Sequence, residues 1–79
     1  MFLTTVSAGN GKRGIKNMVS GEIVATYDTG NLLSRQTAEA AAKAAWGTMI
    51  TNLVGAGHIV AGREYPLPTL QKAYAAYID

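Results

Sequence analysis

The residues most able to do chemistry form a basic cluster near the start of the chain. Three of the seven lysine and arginine residues, Lys12, Arg13 and Lys16, fall within five positions. The preceding Asn10-Gly11 favours the positive φ angles of a tight hairpin turn. A basic loop can dock on phosphate groups or on an acidic protein surface, because charge attraction needs little shape matching. Residues 10–16 are therefore the first candidate contact, and an ordinary solvated hairpin tip is the alternative interpretation.

The same stretch contains glycine patterns that other proteins use to hold phosphate. Residues 9–14 match the spacing G-x-G-x-x-G, but a dinucleotide site needs a helix directly after this loop, and no helical pattern follows. Arg13 stands where a P-loop needs serine or threonine. Residues 11–14 resemble the GxxG loop of KH domains, which clamp single-stranded nucleic acid. That family has a helix before the loop, whereas a strand is predicted here.

The acidic residues and the histidine form no predicted catalytic or metal site. Glu22 and Asp28 lie six residues apart, and an extended strand would separate them by roughly 20 Å. Carboxylate pairs that hydrolyse glycosides lie much closer together. His58 is the only histidine, and a metal site needs at least three suitable ligands. We therefore predict that the protein is not an enzyme and that it takes no cofactor or metal.

Length and composition favour a small binding protein. A chain of 79 residues is long enough for one domain, so residues 1–79 are predicted to form a single compact unit. Hydrophobic residues make up 48%, cysteine is absent, and the charged fraction is only 15% with a net charge of +2. So few charges leave apolar or neutral surface for a partner protein, and the chain is expected to be a monomer or a small homo-oligomer. No secretory signal or membrane span is recognised, which predicts an intracellular protein with no membrane partner.

Three strands are predicted in the first third of the chain. Residues 2–7 alternate in a strand pattern, residues 8–14 are predicted to be a loop, and residues 15–19 are a second strand candidate. Whether residues 15–21 form a strand or a single helical turn stays open. Residues 22–27 are rich in β-branched and aromatic side chains and form the clearest strand.

A long helix is predicted over residues 34–54. Ser34 is a suitable N-cap, and Asn31 competes for that role. The apolar face begins with alanines and ends with bulky side chains, while Arg35 and Lys43 lie on the polar side. Gly47 costs helix stability, and we expect a neighbouring backbone to pass close to it. The glycines at residues 55–57 end the helix.

The rest of the chain is predicted to hold one short helix. Residues 58–61 could form a fourth strand, and Thr69 is the expected cap of the final helix. The apolar side of that helix follows helical spacing at Leu70, Ala73, Tyr74, Tyr77 and Ile78. The predicted fold class is α+β, with a small antiparallel sheet of three or four strands packed on one long alanine-rich helix and a short C-terminal helix.

The strand-rich first half followed by the alanine-rich helix resembles small phage-encoded anti-CRISPR proteins, over roughly residues 22–46. The resemblance implies a non-enzymatic inhibitor that binds a type I CRISPR surveillance complex in the bacterial cytoplasm and blocks its recognition of target DNA. Many such inhibitors are acidic DNA mimics, and this chain is slightly basic, so protein contact is the expected mode. The predicted contact is Asn10, Lys12, Arg13 and Lys16, with Arg35 and Lys43 as secondary candidates. A small nucleic-acid-binding or regulatory protein and a phage virion protein are the alternatives.

Overall fold

The computed structural model describes all 79 residues and contains three strands followed by two helices. The strands form one antiparallel sheet in the order β1-β2-β3, so β2 is central and both β1 and β3 are edges. The predicted α+β class is therefore confirmed, with three strands. The elements are β1 (Leu3–Gly9), β2 (Lys12–Asn17), β3 (Ile23–Asp28), α1 (Leu32–Gly55) and α2 (Leu67–Ile78).

A two-residue turn joins β1 to β2. Asn10 and Gly11 have φ angles of 53° and 73°, which is the combination that a type I′ hairpin turn requires. Because this turn is so short, β1 continues to Gly9 and β2 begins at Lys12. The prediction of a loop over residues 8–14 was therefore wrong at both ends, and Lys12 and Arg13 belong to a strand.

A side-chain cap ends β2 earlier than expected. The Asn17 side-chain oxygen accepts hydrogen bonds from the backbone N–H groups of Val19 at 2.8 Å and Ser20 at 3.3 Å. These bonds turn the chain, so β2 spans Lys12–Asn17 and not residues 15–19. The open question about residues 15–21 is thus resolved as a strand followed by a turn.

A bulge sets which side chains of β3 face inward. Ile15 pairs with Ala25 while Lys16 pairs with Ile23, which leaves Val24 as an extra residue on β3. Val24 and Ala25 both pack against the buried cluster between the sheet and α1. The strand starts one residue later than predicted, at Ile23, and ends at Asp28.

The N-cap of α1 is Asn31 and not the predicted Ser34. The Asn31 side-chain oxygen accepts the Ser34 backbone N–H at 3.0 Å, so Asn31 is the N-cap and the helix begins at Leu32. The Ser34 hydroxyl instead accepts the backbone N–H of Asp28 at 3.1 Å and ties the end of β3 to the helix. The helix ends as expected at its glycines, with Gly57 at φ 80° in the left-handed position that closes a Schellman motif.

The segment after α1 differs from two predictions. Residues 58–61 contain a turn and a bend and add no fourth strand to the sheet. The final helix begins at Leu67 with Pro66 as its N-cap and with Pro68 in its first turn, where the fixed φ of proline suits a helix and its missing N–H leaves no hydrogen bond unmade. Thr69 lies inside the first turn, where its N–H donates to the Pro66 carbonyl at 3.1 Å, and is therefore not the cap.

Two buried clusters line α1. The alanine-rich half lies against the sheet, where Ala38 and Ala42 pack with Ile15 and Tyr27. The second half packs bulkier side chains against the β2–β3 turn, the segment after α1, and α2, in a cluster of Val19, Met49, Leu53, Ile59 and Leu70. A 24-residue helix spans about 36 Å, which explains a molecule measuring 40 × 20 × 19 Å. Neither helix combines the length and the apolar character that crossing a membrane requires.

Gly47 lies in the middle of α1 with open space around it. A methyl group added there would meet no atom within 4 Å, so the expectation of a close backbone neighbour was wrong. We predict that Gly47→Ala raises the free energy of unfolding by about 0.5–1 kcal/mol, because alanine favours the helical backbone. Urea denaturation followed by circular dichroism measures this change.

Gly57→Ala is the matched control for that substitution. A methyl group there also meets no atom within 4 Å, but the φ angle of 80° is strained for alanine. We expect it to lower stability by about 1–2 kcal/mol. If both variants shifted stability in the same direction, backbone conformation would not be the cause.

Candidate binding groove

The alternation of β2 separates the basic residues that are neighbours in sequence. Lys12 and Lys16 point to the sheet face that no helix covers, and Arg13 points to the face that packs on α1. Lys12 also lies beside Asp28 on the paired strand, with 3.9 Å between its Nζ and the carboxylate Oδ1. The predicted contact therefore does not form one basic tip.

Asn10 has a conformational role at the hairpin tip. It adopts a positive φ angle and is exposed, and it belongs to neither face of the sheet. Asparagine tolerates this left-handed conformation better than most residues do. The structure thus places Asn10 in the turn itself, between β1 and β2.

Arg13 reaches under β1 on the helix side. Its guanidinium donates a hydrogen bond to the Thr5 hydroxyl at 3.3 Å, and its strand partner across the sheet is the buried Tyr27. Its half-buried position leaves fewer conformations open to the side chain than a free surface arginine has. A held guanidinium presents several fixed N–H donors, which suits carboxylate or phosphate groups.

The two basic residues of α1 complete the set on the same side. Arg35 and Lys43 line one depression together with Thr5, and Arg35 also lines the neighbouring depression with Arg13. Glu39 lies between them on the helix, with 3.6 Å from its Oε1 to the Arg35 Nε. Both side chains of that pair are about half exposed, so the pair is a weak surface contact that a stronger anion can replace.

The depressions form a groove because α1 packs across β3 and β2, so that β1 extends beyond the helix. Its main part has a volume of about 370 Å³. Tyr27 and Arg35 join it to the second depression, which ends at Leu32. We call both parts together the strand–helix groove; its residues include Leu3, Thr5, Arg13, Ile15, Tyr27, Leu32, Arg35, Glu39, Ala42 and Lys43.

The strand–helix groove holds the whole excess of positive charge. Arg13, Arg35 and Lys43 face one acidic residue there, Glu39, which leaves a surplus of two. This equals the net charge of +2 for the chain. The other charges balance, with four basic and four acidic residues: Lys12, Lys16, Arg63 and Lys72 against Glu22, Asp28, Glu64 and Asp79.

Two exposed leucines at the start of α1 were missed by the sequence analysis. Leu32 is 67% exposed and Leu33 is 74% exposed, and Leu32 forms the end of the strand–helix groove beside Arg35. Leu32 therefore adds exposed apolar surface beside the basic groove. The helix was predicted to start two residues later, so their place on its first turn was not recognised.

The residues considered for catalysis lie apart. Glu22 accepts a hydrogen bond from the Tyr74 hydroxyl at 3.3 Å, while Asp28 lies beside Lys12. Burial and then the nearby Glu22 carboxylate raise the pKa of Tyr74 above its usual value. His58 is exposed and its ring meets the edge of Tyr77, with 6.2 Å between centroids. The structure groups no set of three histidine, cysteine or acidic side chains that could hold a metal ion.

Comparisons with known proteins found no matching protein family, no matching curated protein and no matching solved structure.

Proposed function

We propose that the protein is a non-enzymatic binding protein that docks on an anionic protein surface through the strand–helix groove. The observation that carries this proposal is the charge distribution: the entire positive surplus of the chain lies in one groove, and the remaining charges cancel. Opposite charge raises the rate of encounter and sets the orientation of docking. Leu32 adds exposed apolar surface at the end of the groove, and its burial against a partner would be favourable.

The specific form we propose follows from the resemblance to anti-CRISPR proteins. In this form the partner is a type I CRISPR surveillance complex, and the bound protein prevents target DNA from reaching it by occupying protein surface. The site of action would be the cytoplasm of a bacterial host. A basic groove supports contact with acidic protein groups and argues against imitation of DNA, which needs negative charge.

Co-elution of the two purified components tests this proposal. We expect the protein to elute with the surveillance complex and to reduce its binding of duplex target DNA. The interaction should weaken between about 50 and about 200 mM salt, because charged contacts are screened.

Separate arms of this experiment replace the complex by duplex DNA or single-stranded RNA alone. Steeply salt-dependent binding to either nucleic acid, without co-elution with the complex, would favour the nucleic-acid-binding alternative. Absence of co-elution with the complex at low salt would refute the inhibitor proposal.

A further inference from the structure

One edge of the sheet is free along the wall of the strand–helix groove. β1 pairs only with β2, and its exposed side chains show that nothing covers its outer edge. The backbone N–H of Met18 donates to the Phe2 carbonyl at 2.9 Å. Because hydrogen-bonded pairs alternate along an antiparallel ladder, Leu3, Thr5 and Ser7 direct their own N–H and C=O groups outward.

This edge carries no charge or proline of the kind that normally protects an edge strand, and its one irregularity is a bulge near the hairpin turn, between Ser7 and Gly9. β1 contains no charged residue and no proline, and threonine, valine and serine occupy its centre. Native edge strands usually carry lysine, proline or a cover that prevents pairing with another chain. The opposite edge of the sheet, β3, is more protected. It packs on α1, and at the end of β3 the backbone N–H of Asp28 donates a hydrogen bond to the Ser34 hydroxyl.

A strand added at this edge would have one of its faces on the side of the sheet where Arg13, Arg35 and Lys43 lie. It would sit about 4.8 Å from β1 and point every second side chain to the helix side. On that side it meets the strand–helix groove, whose α1 wall from Leu32 to Lys43 is about 17 Å long. About five extended residues span that distance, which is shorter than the seven-residue β1.

We propose that the partner contributes an extended acidic segment that pairs with β1 as a fourth strand and places alternate carboxylates in the strand–helix groove. The proposal rests on the proposed function and specifies its ligand. The edge offers backbone donors and acceptors in a row, which another polypeptide backbone matches. The groove offers Arg13, Arg35 and Lys43 to the carboxylates.

Two observations favour a peptide over a nucleic acid in this groove. Single-stranded nucleic acids are held by exposed aromatic rings on which the bases stack, whereas the one aromatic side chain here, Tyr27, is buried. Glu39 also stands between the basic residues, where it would repel a continuous row of phosphates. A peptide can place an uncharged side chain opposite Glu39, whereas every nucleotide of a nucleic acid carries a phosphate.

Backbone methylation of a probe peptide tests the inference without changing the protein. The probe is a peptide of about seven residues with alternating threonine and glutamate, long enough to cover the groove. One version is N-methylated at the glutamates and a second at the threonines. An added strand donates hydrogen bonds from alternate residues only, so we expect one version to bind as well as the parent and the other to bind at least about tenfold more weakly.

The outcomes separate this inference from the proposed function. Equal affinity of both methylated versions would overturn strand addition while leaving charge-based docking in the groove intact. Failure of the parent peptide to bind, or tighter binding of single-stranded DNA of similar charge, would overturn the acidic segment as ligand. Co-elution with the surveillance complex is measured independently and decides the proposed function.

Discussion

Replacing Leu53 with alanine is expected to lower the free energy of unfolding by about 3–5 kcal/mol. Leu53 has no solvent exposure and lies in the cluster that joins α1 to Ile59 and to Leu70 of α2. A chain of this length has a total stability of only about 4–12 kcal/mol. The substitution should therefore remove at least about a quarter of the total stability.

Urea denaturation measures this loss, with Trp46 fluorescence as one probe because its ring packs against the same cluster. Leu33→Ala removes the same atoms from an exposed site and should change stability by no more than about 0.5 kcal/mol. Similar losses in the two variants would mean that the helices do not pack as described.

The triple variant Arg13→Ala, Arg35→Ala, Lys43→Ala is expected to lose about 100-fold in affinity for its anionic partner. Each of these partly exposed charges contributes about 1 kcal/mol to a salt bridge, and three such losses give about two decades in the dissociation constant. None of the three is fully buried, so the fold should persist. Titration against the acidic peptide and against the surveillance complex measures the effect.

A second triple variant removes three positive charges that lie outside the strand–helix groove. Lys12→Ala, Lys16→Ala, Lys72→Ala also changes the net charge from +2 to −1, but it leaves the strand–helix groove intact. We expect its affinity to fall less than tenfold, through weaker long-range attraction only. Equal losses in both variants would show that total charge, and not the groove, determines binding.

The sequence predicted the helical and strand elements well because hydrophobic spacing is a local property. The alanine-rich half of α1 was expected to approach the sheet, and Ala38 and Ala42 do so. The caps were harder, since Asn31 and Ser34 both suit an N-cap and only the position of β3 decides between them. With Ser34 bonded to the Asp28 backbone, Asn31 remains to accept the helix N–H.

The candidate site could not be predicted from local sequence patterns, because its residues come together only in the tertiary structure. Lys12 and Arg13 are adjacent in the chain, yet the early start of β2 puts them on opposite faces of the sheet. Arg35 and Lys43 lie far from Arg13 in sequence and share a groove with it only because β1 extends beyond α1. The length of the hairpin turn was the one local signal that could have revealed the first of these facts.

Amide chemical-shift mapping shows whether the strand–helix groove is the docking surface. The isotope-labelled protein is titrated with the parent acidic peptide. We expect the largest shift changes at Thr5, Arg13, Arg35 and Lys43. Changes centred instead on Lys12, Lys16 and Ile23, across the uncovered face of the sheet, would contradict docking in the groove.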